Sequence, residues 1–186
     1  MQDRLAKIKL LAMDVDGTLT DGSMIFGNGE QVKVFSVYDG LGLRLAMNYG
    51  LKIAWVTGNI TDIVAQRAQS IGVEEVYQGV RHKSQIIRDI AARHGISLEE
   101  IAYIGDDLND LPAFEQAGFC FAPANAVEEV KARAAMVTER CGGRGAVREA
   151  LEAIFKAKGQ WEDAVSSFLS ELEREDVGKA GPEAVS

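Results

Sequence analysis

The sequence predicts an α/β fold, a Rossmann-like doubly wound parallel sheet with helices on both faces and a β-hairpin inserted after the first strand. Three observations carry this. Short apolar runs alternate with amphipathic helical stretches along most of the chain, the rhythm of strand–helix–strand units. The runs are continuous rather than alternating, as expected of strands buried on both faces. Several of them stop at an acidic or hydroxyl residue.

The first strand spans Ile8–Met13 and ends at Asp14. The next segment breaks the rhythm. From Thr20 to Val37 the text alternates and carries a Gly27-Asn28-Gly29 turn, which predicts a hairpin. A helix near 40–49 follows, then a strand over Leu51–Val56 ending at Thr57, a helix near 60–71 and a weak strand at Val76-Tyr77. Lys83 opens a helix over 83–94, and Ile101–Ile104 forms a strand ending at Gly105-Asp106. Helices near 108–117, 126–133 and 145–157 enclose short strands at Phe119–Ala122 and Ala135–Val137. Residues 1–158 read as one domain without a cap, since the stretch from Asp14 to Asn48 is used up by the hairpin and a helix. Residues 159–186 read as a C-terminal helix over Trp161–Arg174 and a flexible polar tail.

Composition excludes several roles. At 47% hydrophobic and 26% charged residues, the chain has the profile of a soluble globular protein. A net charge of −8 gives no basic footprint for nucleic acid or an anionic membrane. No apolar run approaches the roughly 20 residues that span a bilayer. Cys120 and Cys141 lack metal-ligand spacing, and reduced thiols suit a cytoplasmic protein.

Ligands of an open parallel sheet bind beyond the carboxyl ends of its strands. Asp14 and Asp16, Thr57, and Asp106 with Asp107 and Asp110 stand at such ends, and Lys83 opens the helix after a further strand. Asp14 and Asp16, two apart on extended backbone, project to one side. Carboxylates gathered so closely call for a cation, and oxygen-only ligation suggests Mg²⁺. Gly17 permits a tight turn that aims N–H groups at a phosphate. Each piece alone is a common turn, cap or solvated lysine; their joint order on successive strand ends points to one site.

DVDGT at 14–18, VTGN at 56–59, Lys83 and GDDLND at 105–110 resemble the four motifs of the haloacid dehalogenase superfamily. That resemblance implies a nucleophilic role for Asp14, with Asp16 as general acid and base. It implies that Thr57 and Lys83 hold the phosphoryl group. It also implies that Asp14, the backbone carbonyl of Asp16, and Asp106 hold Mg²⁺, supported by Gly17, Gly58, Asp107 and Asp110. A carboxylate nucleophile would divide a slow hydrolysis into two easier steps.

FSVYDG at 35–40 with Arg44, Arg67 and CGGRGAVRE at 141–149 resemble the family of 3-deoxy-D-manno-octulosonate 8-phosphate phosphatases. This likeness implies a cytoplasmic bacterial enzyme of lipopolysaccharide precursor synthesis, a homotetramer assembled through the hairpin. It implies substrate contacts from Ser36, Val37, Tyr38, Asp39, Gly40, Arg44, Arg67 and Asn109. Arg144 and Arg148 are further candidates to meet a carboxylate or phosphate, the alternative being that 142–145 is a flexible connection. Asn59, which follows Thr57-Gly58 and is expected beside the phosphoryl site as a substrate contact, departs from the pattern, because octulosonate members commonly have Arg there and nonulosonate 9-phosphate relatives can have Glu. A nonulosonate 9-phosphate is therefore the second substrate reading. A phospho-receiver or binding module is the alternative of another class; the order DxDGT and the hairpin argue against it.

Overall fold

The computed structural model describes residues 1–27 and 30–178. Eight strands are assigned among them: β1 (Leu10–Met13), β2 (Ile25–Gly27), β3 (Glu30–Val32), β4 (Lys52–Val56), β5 (Glu75–Tyr77), β6 (Ile101–Ile104), β7 (Phe119–Ala122) and β8 (Met136–Val137). The helices are α1 (Gln2–Ala6), α2 (Val37–Asn48), α3 (Asp62–Ile71), α4 (Lys83–His94), α5 (Leu111–Phe114), α6 (Glu128–Lys131), α7 (Ala146–Ala157) and α8 (Trp161–Gly178).

Six strands form a sheet in the order β5-β4-β1-β6-β7-β8, and every pairing is parallel. Counted within that sheet alone the order is 3-2-1-4-5-6, so the winding reverses between β1 and β6. A crevice opens where loops leave a reversal point in opposite directions.

Alternation along each strand divides the core in two. Leu11 and Met13 of β1, Ile53 and Trp55 of β4, and Phe119 and Phe121 of β7 pack on one face with residues of α2, α3 and α7. Leu10 and Ala12, Ala54 and Val56, and Cys120 and Ala122 pack on the other, with α4, α5 and α6. This period of two is why each run reads as apolar throughout: both faces are covered.

Helix boundaries follow local chemistry. Ser36 Oγ accepts from the Asp39 N–H at the start of α2, and Thr61 Oγ1 accepts from Val64 at the start of α3. Gly72 and Gly95 end α3 and α4 in the left-handed region, the usual C-terminal stop.

The structure corrects several expected elements. The helix expected near 108–117 is a 3-10 turn over Leu108–Asp110 followed by the one-turn α5, because Asp110 folds its side chain back onto the N–H groups of Asp106 and Asp107. The charged N-terminus forms α1, anchored by buried Leu5. The C-terminal helix passes Arg174 and runs to Gly178. It docks through Ala164, which is buried, and through Trp161, whose ring lies 5.0 Å from the Arg148 guanidinium. The tail expected from Glu175 thus begins as helix, and 179–186 lie outside the described residues.

The hairpin is present as the antiparallel pair β2–β3, with Ile25 opposite Val32; Asn28 and Gly29 of its expected turn lie outside the described residues. Among the described residues, no helix is long and apolar enough to cross a membrane.

Candidate active site

Asp14 follows β1 and continues its ladder, its N–H donating to the Ile104 carbonyl at 3.0 Å. Thr57 does the same beyond β4, donating to Tyr77 at 2.9 Å. Asp106 and Asp107 follow β6. With Asp16, Gly22, Gly58, Asn59 and Asn109 these residues line a crevice of about 440 Å³ at the reversal point.

Charge at its floor is tightly organised. Lys83, only 1% exposed, donates to Asp14 Oδ1 at 2.8 Å and to Asp110 Oδ1 at 2.7 Å. Asp110 is fully buried and fully engaged. Its Oδ1 also accepts from the Tyr103 hydroxyl at 2.7 Å, and its Oδ2 accepts from the Asp106 and Asp107 N–H groups at 2.9 and 3.3 Å. Thr18 Oγ1 donates to Asp106 Oδ1 at 3.0 Å. Asp110 is therefore a brace that holds Lys83 and the β6 loop, while Asp14 and Asp106 keep oxygens directed at the crevice.

Burial, then the neighbouring Asp110, pushes the Asp14 carboxyl up to about 7 against the pull of Lys83. The same two causes push Asp106 up to about 7. Burial works against the Lys83 ammonium, but Asp14 and Asp110 more than offset it and raise its pKa.

Asp14, Asp106 and Asp110 each place one oxygen within 4.8 Å of the others. Three carboxylates against one ammonium leave an excess of negative charge in a poorly solvated place, and a divalent cation would correct it. The donors are all oxygens, which suits a hard cation such as Mg²⁺. Gly17 (φ +94°) has no side chain to intrude: a Cβ there would stand 2.0 Å from Asp106 Oδ2. The residues fit the ion.

Asp16 lines the same crevice at its rim, its side chain 28% exposed. Its Oδ1 accepts from Lys33 and its Oδ2 from Asn59 Nδ2, the latter at 2.8 Å. Lys33, just beyond β3, escaped the sequence reading because its partner, Asp16, lies before the hairpin, in the turn after β1. The loop at 142–145 packs on the turn after Asp16. The Gly143 N–H donates to Thr18 O at 3.0 Å, and a Cβ on Gly142 would meet Gly17 O at 1.8 Å. That contact is a built one, in place of the flexible connection weighed from sequence.

Of the expected substrate contacts, Asn59 and Asn109 line the crevice. The others are placed differently within one chain. Asp39 is buried and accepts from the N–H groups of Gly145 (3.3 Å) and Arg148 (2.8 Å), so it caps α7. Ser36 caps α2, and its carbonyl accepts from Arg67 at 3.4 Å. Gly40 leaves room for the same Arg67, whose Nη2 would be 2.5 Å from an added Cβ. Arg44 donates to Ser70 O at 3.0 Å. Arg148 pairs with Glu152, and exposed Arg144 lies 3.6 Å from Asp21. Val37 and Tyr38 are exposed at the start of α2.

A family model described as haloacid dehalogenase-like hydrolase matches residues 52–151. The chain is 40% identical over 158 residues to the 3-deoxy-D-manno-octulosonate 8-phosphate phosphatase KdsC of Escherichia coli K12, covering 84% of each. It is 37% identical over 175 residues to the KdsC of Haemophilus influenzae, covering 92% of this chain and 97% of that one. The crystal structure of the Moraxella catarrhalis phosphatase, in complex with magnesium, phosphate and KDO, superposes with a TM-score of 0.87 at 39% identity. It covers 90% of this chain and 97% of that one.

Proposed function

The chain belongs to the haloacid dehalogenase-like hydrolase family, and on that premise we propose that it hydrolyses 3-deoxy-D-manno-octulosonate 8-phosphate to the free octulosonate and phosphate. It is a phosphoric monoester hydrolase, and its cofactor is Mg²⁺. The observation that carries the substrate reading is likeness over nearly the whole chain to a phosphatase solved with magnesium, phosphate and KDO. In this chain Asp14 lines the crevice and pairs with the buried Lys83.

In this reading Asp14 is the nucleophile. Its oxygen bonds to phosphorus as the bond to the sugar oxygen breaks, and Asp16 gives the departing oxygen a proton. Water then attacks the phosphorus and loses a proton to Asp16, and Asp14 is regenerated with release of phosphate. Lys83 and Thr57 hold the phosphoryl oxygens. Asp14, the Asp16 carbonyl and Asp106 would hold Mg²⁺, which when bound neutralises charge building on the phosphoryl group. Residues 1–158 form the phosphatase domain and 159–186 an added C-terminal segment. The apolar hairpin over 20–37 joins four copies into a homotetramer, in the cytoplasm of a bacterium that makes lipopolysaccharide.

Asn59 supports a second reading, a nonulosonate 9-phosphate, because it offers a sugar carboxylate only neutral hydrogen bonds. A panel of phosphorylated sugar acids assayed with Mg²⁺ separates the two. The octulosonate ester should give the higher kcat/KM, and a margin of about tenfold, some 1.4 kcal/mol, for a nonulosonate ester would replace the substrate assignment.

A further inference from the structure

Lys33 has no part in the chemistry described so far, yet its side chain is only 2% exposed. Lysines are almost never covered to that degree unless paired. Its ammonium donates to Asp16 Oδ1, and Asn59 Nδ2 donates to Asp16 Oδ2. One donor comes from the hairpin and the other from the loop after β4. Two donors on two oxygens fix both the position and the plane of a carboxylate, which a single contact does not.

We propose that Lys33 and Asn59 are a positioning pair that aims the Asp16 carboxylate at the water of the second half-reaction. This rests on the reading of Asp14 as nucleophile and Asp16 as proton carrier. In that half-reaction the bond from water oxygen to phosphorus forms while the bond from phosphorus to Asp14 breaks. One water proton passes to Asp16, the other stays on the released phosphate, and Asp14 leaves as a carboxylate. The hairpin thereby enters the reaction: withdrawing it removes one of the two donors and frees the carboxylate to turn.

The test uses p-nitrophenyl phosphate with Mg²⁺, because nitrophenolate departs without a proton and the first half-reaction then does not need Asp16. Lys33→Met should keep kcat/KM within about threefold of the parent while steady-state kcat falls by about tenfold to a hundredfold. A burst of nitrophenolate equal to the folded enzyme should precede the slow phase. Lys33→Arg should recover most of the turnover, and Asn59→Ala should show the same split to a smaller degree. If kcat and kcat/KM fall together without a burst in both Lys33→Met and Asn59→Ala, the pair is merely structural and the proposal is wrong. Should Lys33→Met fail to fold, Asn59→Ala and Lys33→Arg decide by the same split. Asp16→Asn separates the two levels. A burst there but none in the Lys33 and Asn59 variants overturns only the pair; unchanged steady turnover in Asp16→Asn overturns the role of Asp16 itself.

Discussion

Gly17 and Asp106 approach so closely that a single methyl group on Gly17 would overlap the Asp106 carboxylate, at 2.0 Å from Oδ2. The backbone of Gly17, at φ +94°, adds strain of about 1–2 kcal/mol for any other residue. The glycine thus does two things: it makes the turn after Asp16 and leaves Asp106 free to face the crevice. Gly17→Ala should lower turnover by on the order of a hundredfold or more, since a 1 Å displacement at a reacting centre has that effect. Mg²⁺ should also bind more weakly, as read by a smaller Mg²⁺-induced rise in Tm. Parent-like turnover in Gly17→Ala would show that the contact is relaxed without consequence.

Asp39 tests the line between substrate contact and scaffold. Its carboxylate caps α7 from α2, more than a hundred positions away in sequence. Burial raises its pKa, partly offset by the N–H groups of Arg148 and Gly145. Asp39→Ala should destabilise the fold by about 1–2 kcal/mol, the range for a lost helix cap, seen as a lower denaturant midpoint. KM for the sugar phosphate should change little in the folded fraction. A large rise in KM with unchanged stability would restore Asp39 to the substrate.

The sheet was legible because its central strands, β1, β4, β6 and β7, are buried almost throughout, and Asp14, Thr57 and Asp106 stand just beyond three of them. Lys83 was legible by order alone. Less could be read where one residue serves two segments. Asp39 and Asp16 take their partners from distant elements, and nothing in the local text of Lys33 distinguishes it from a solvated lysine. Asp110 was read as support, and its carboxylate accepts from four donors, Lys83, Tyr103 and the N–H groups of Asp106 and Asp107. The helix expected at 108–117 failed because the same side chain competes for the backbone that a helix would use.

The raised carboxyls make metal binding a competition with protons. Asp14 and Asp106 are held near 7 by burial and by Asp110, above the ordinary carboxylate value near 3.8. Between those values the metal-free folded protein binds more protons than the unfolded chain. Its stability should therefore fall as pH rises from about 4 to about 7 and level off above. Mg²⁺ displaces those protons, so its affinity should climb over the upper part of the same window. Thermal unfolding with and without Mg²⁺ from pH 5.5 to 8 should show the Mg²⁺ shift growing with pH. A shift that is flat or shrinks with pH would contradict the assignment of these carboxylates to the ion.

The hairpin presents Met24, Ile25, Phe26, Val32 and Val34 to solvent in a single chain, Phe26 at 71% exposure. Such a patch on a two-stranded ribbon with open edges calls for a partner. Sedimentation should give a tetramer, and Phe26→Asp should shift it toward smaller species. A parent protein that stays monomeric and active at all concentrations would remove the proposed assembly.

The central claim is that phosphate passes through Asp14 with Mg²⁺ bound beside it. Its most direct test is release of inorganic phosphate from 3-deoxy-D-manno-octulosonate 8-phosphate by the parent protein and by Asp14→Asn. The parent should release phosphate steadily with Mg²⁺ and stop when EDTA is added. Asp14→Asn should fold and release essentially none, because a neutral amide is not the nucleophile the reaction requires. Release by Asp14→Asn at the rate of the parent, or a parent rate indifferent to EDTA, would contradict the account.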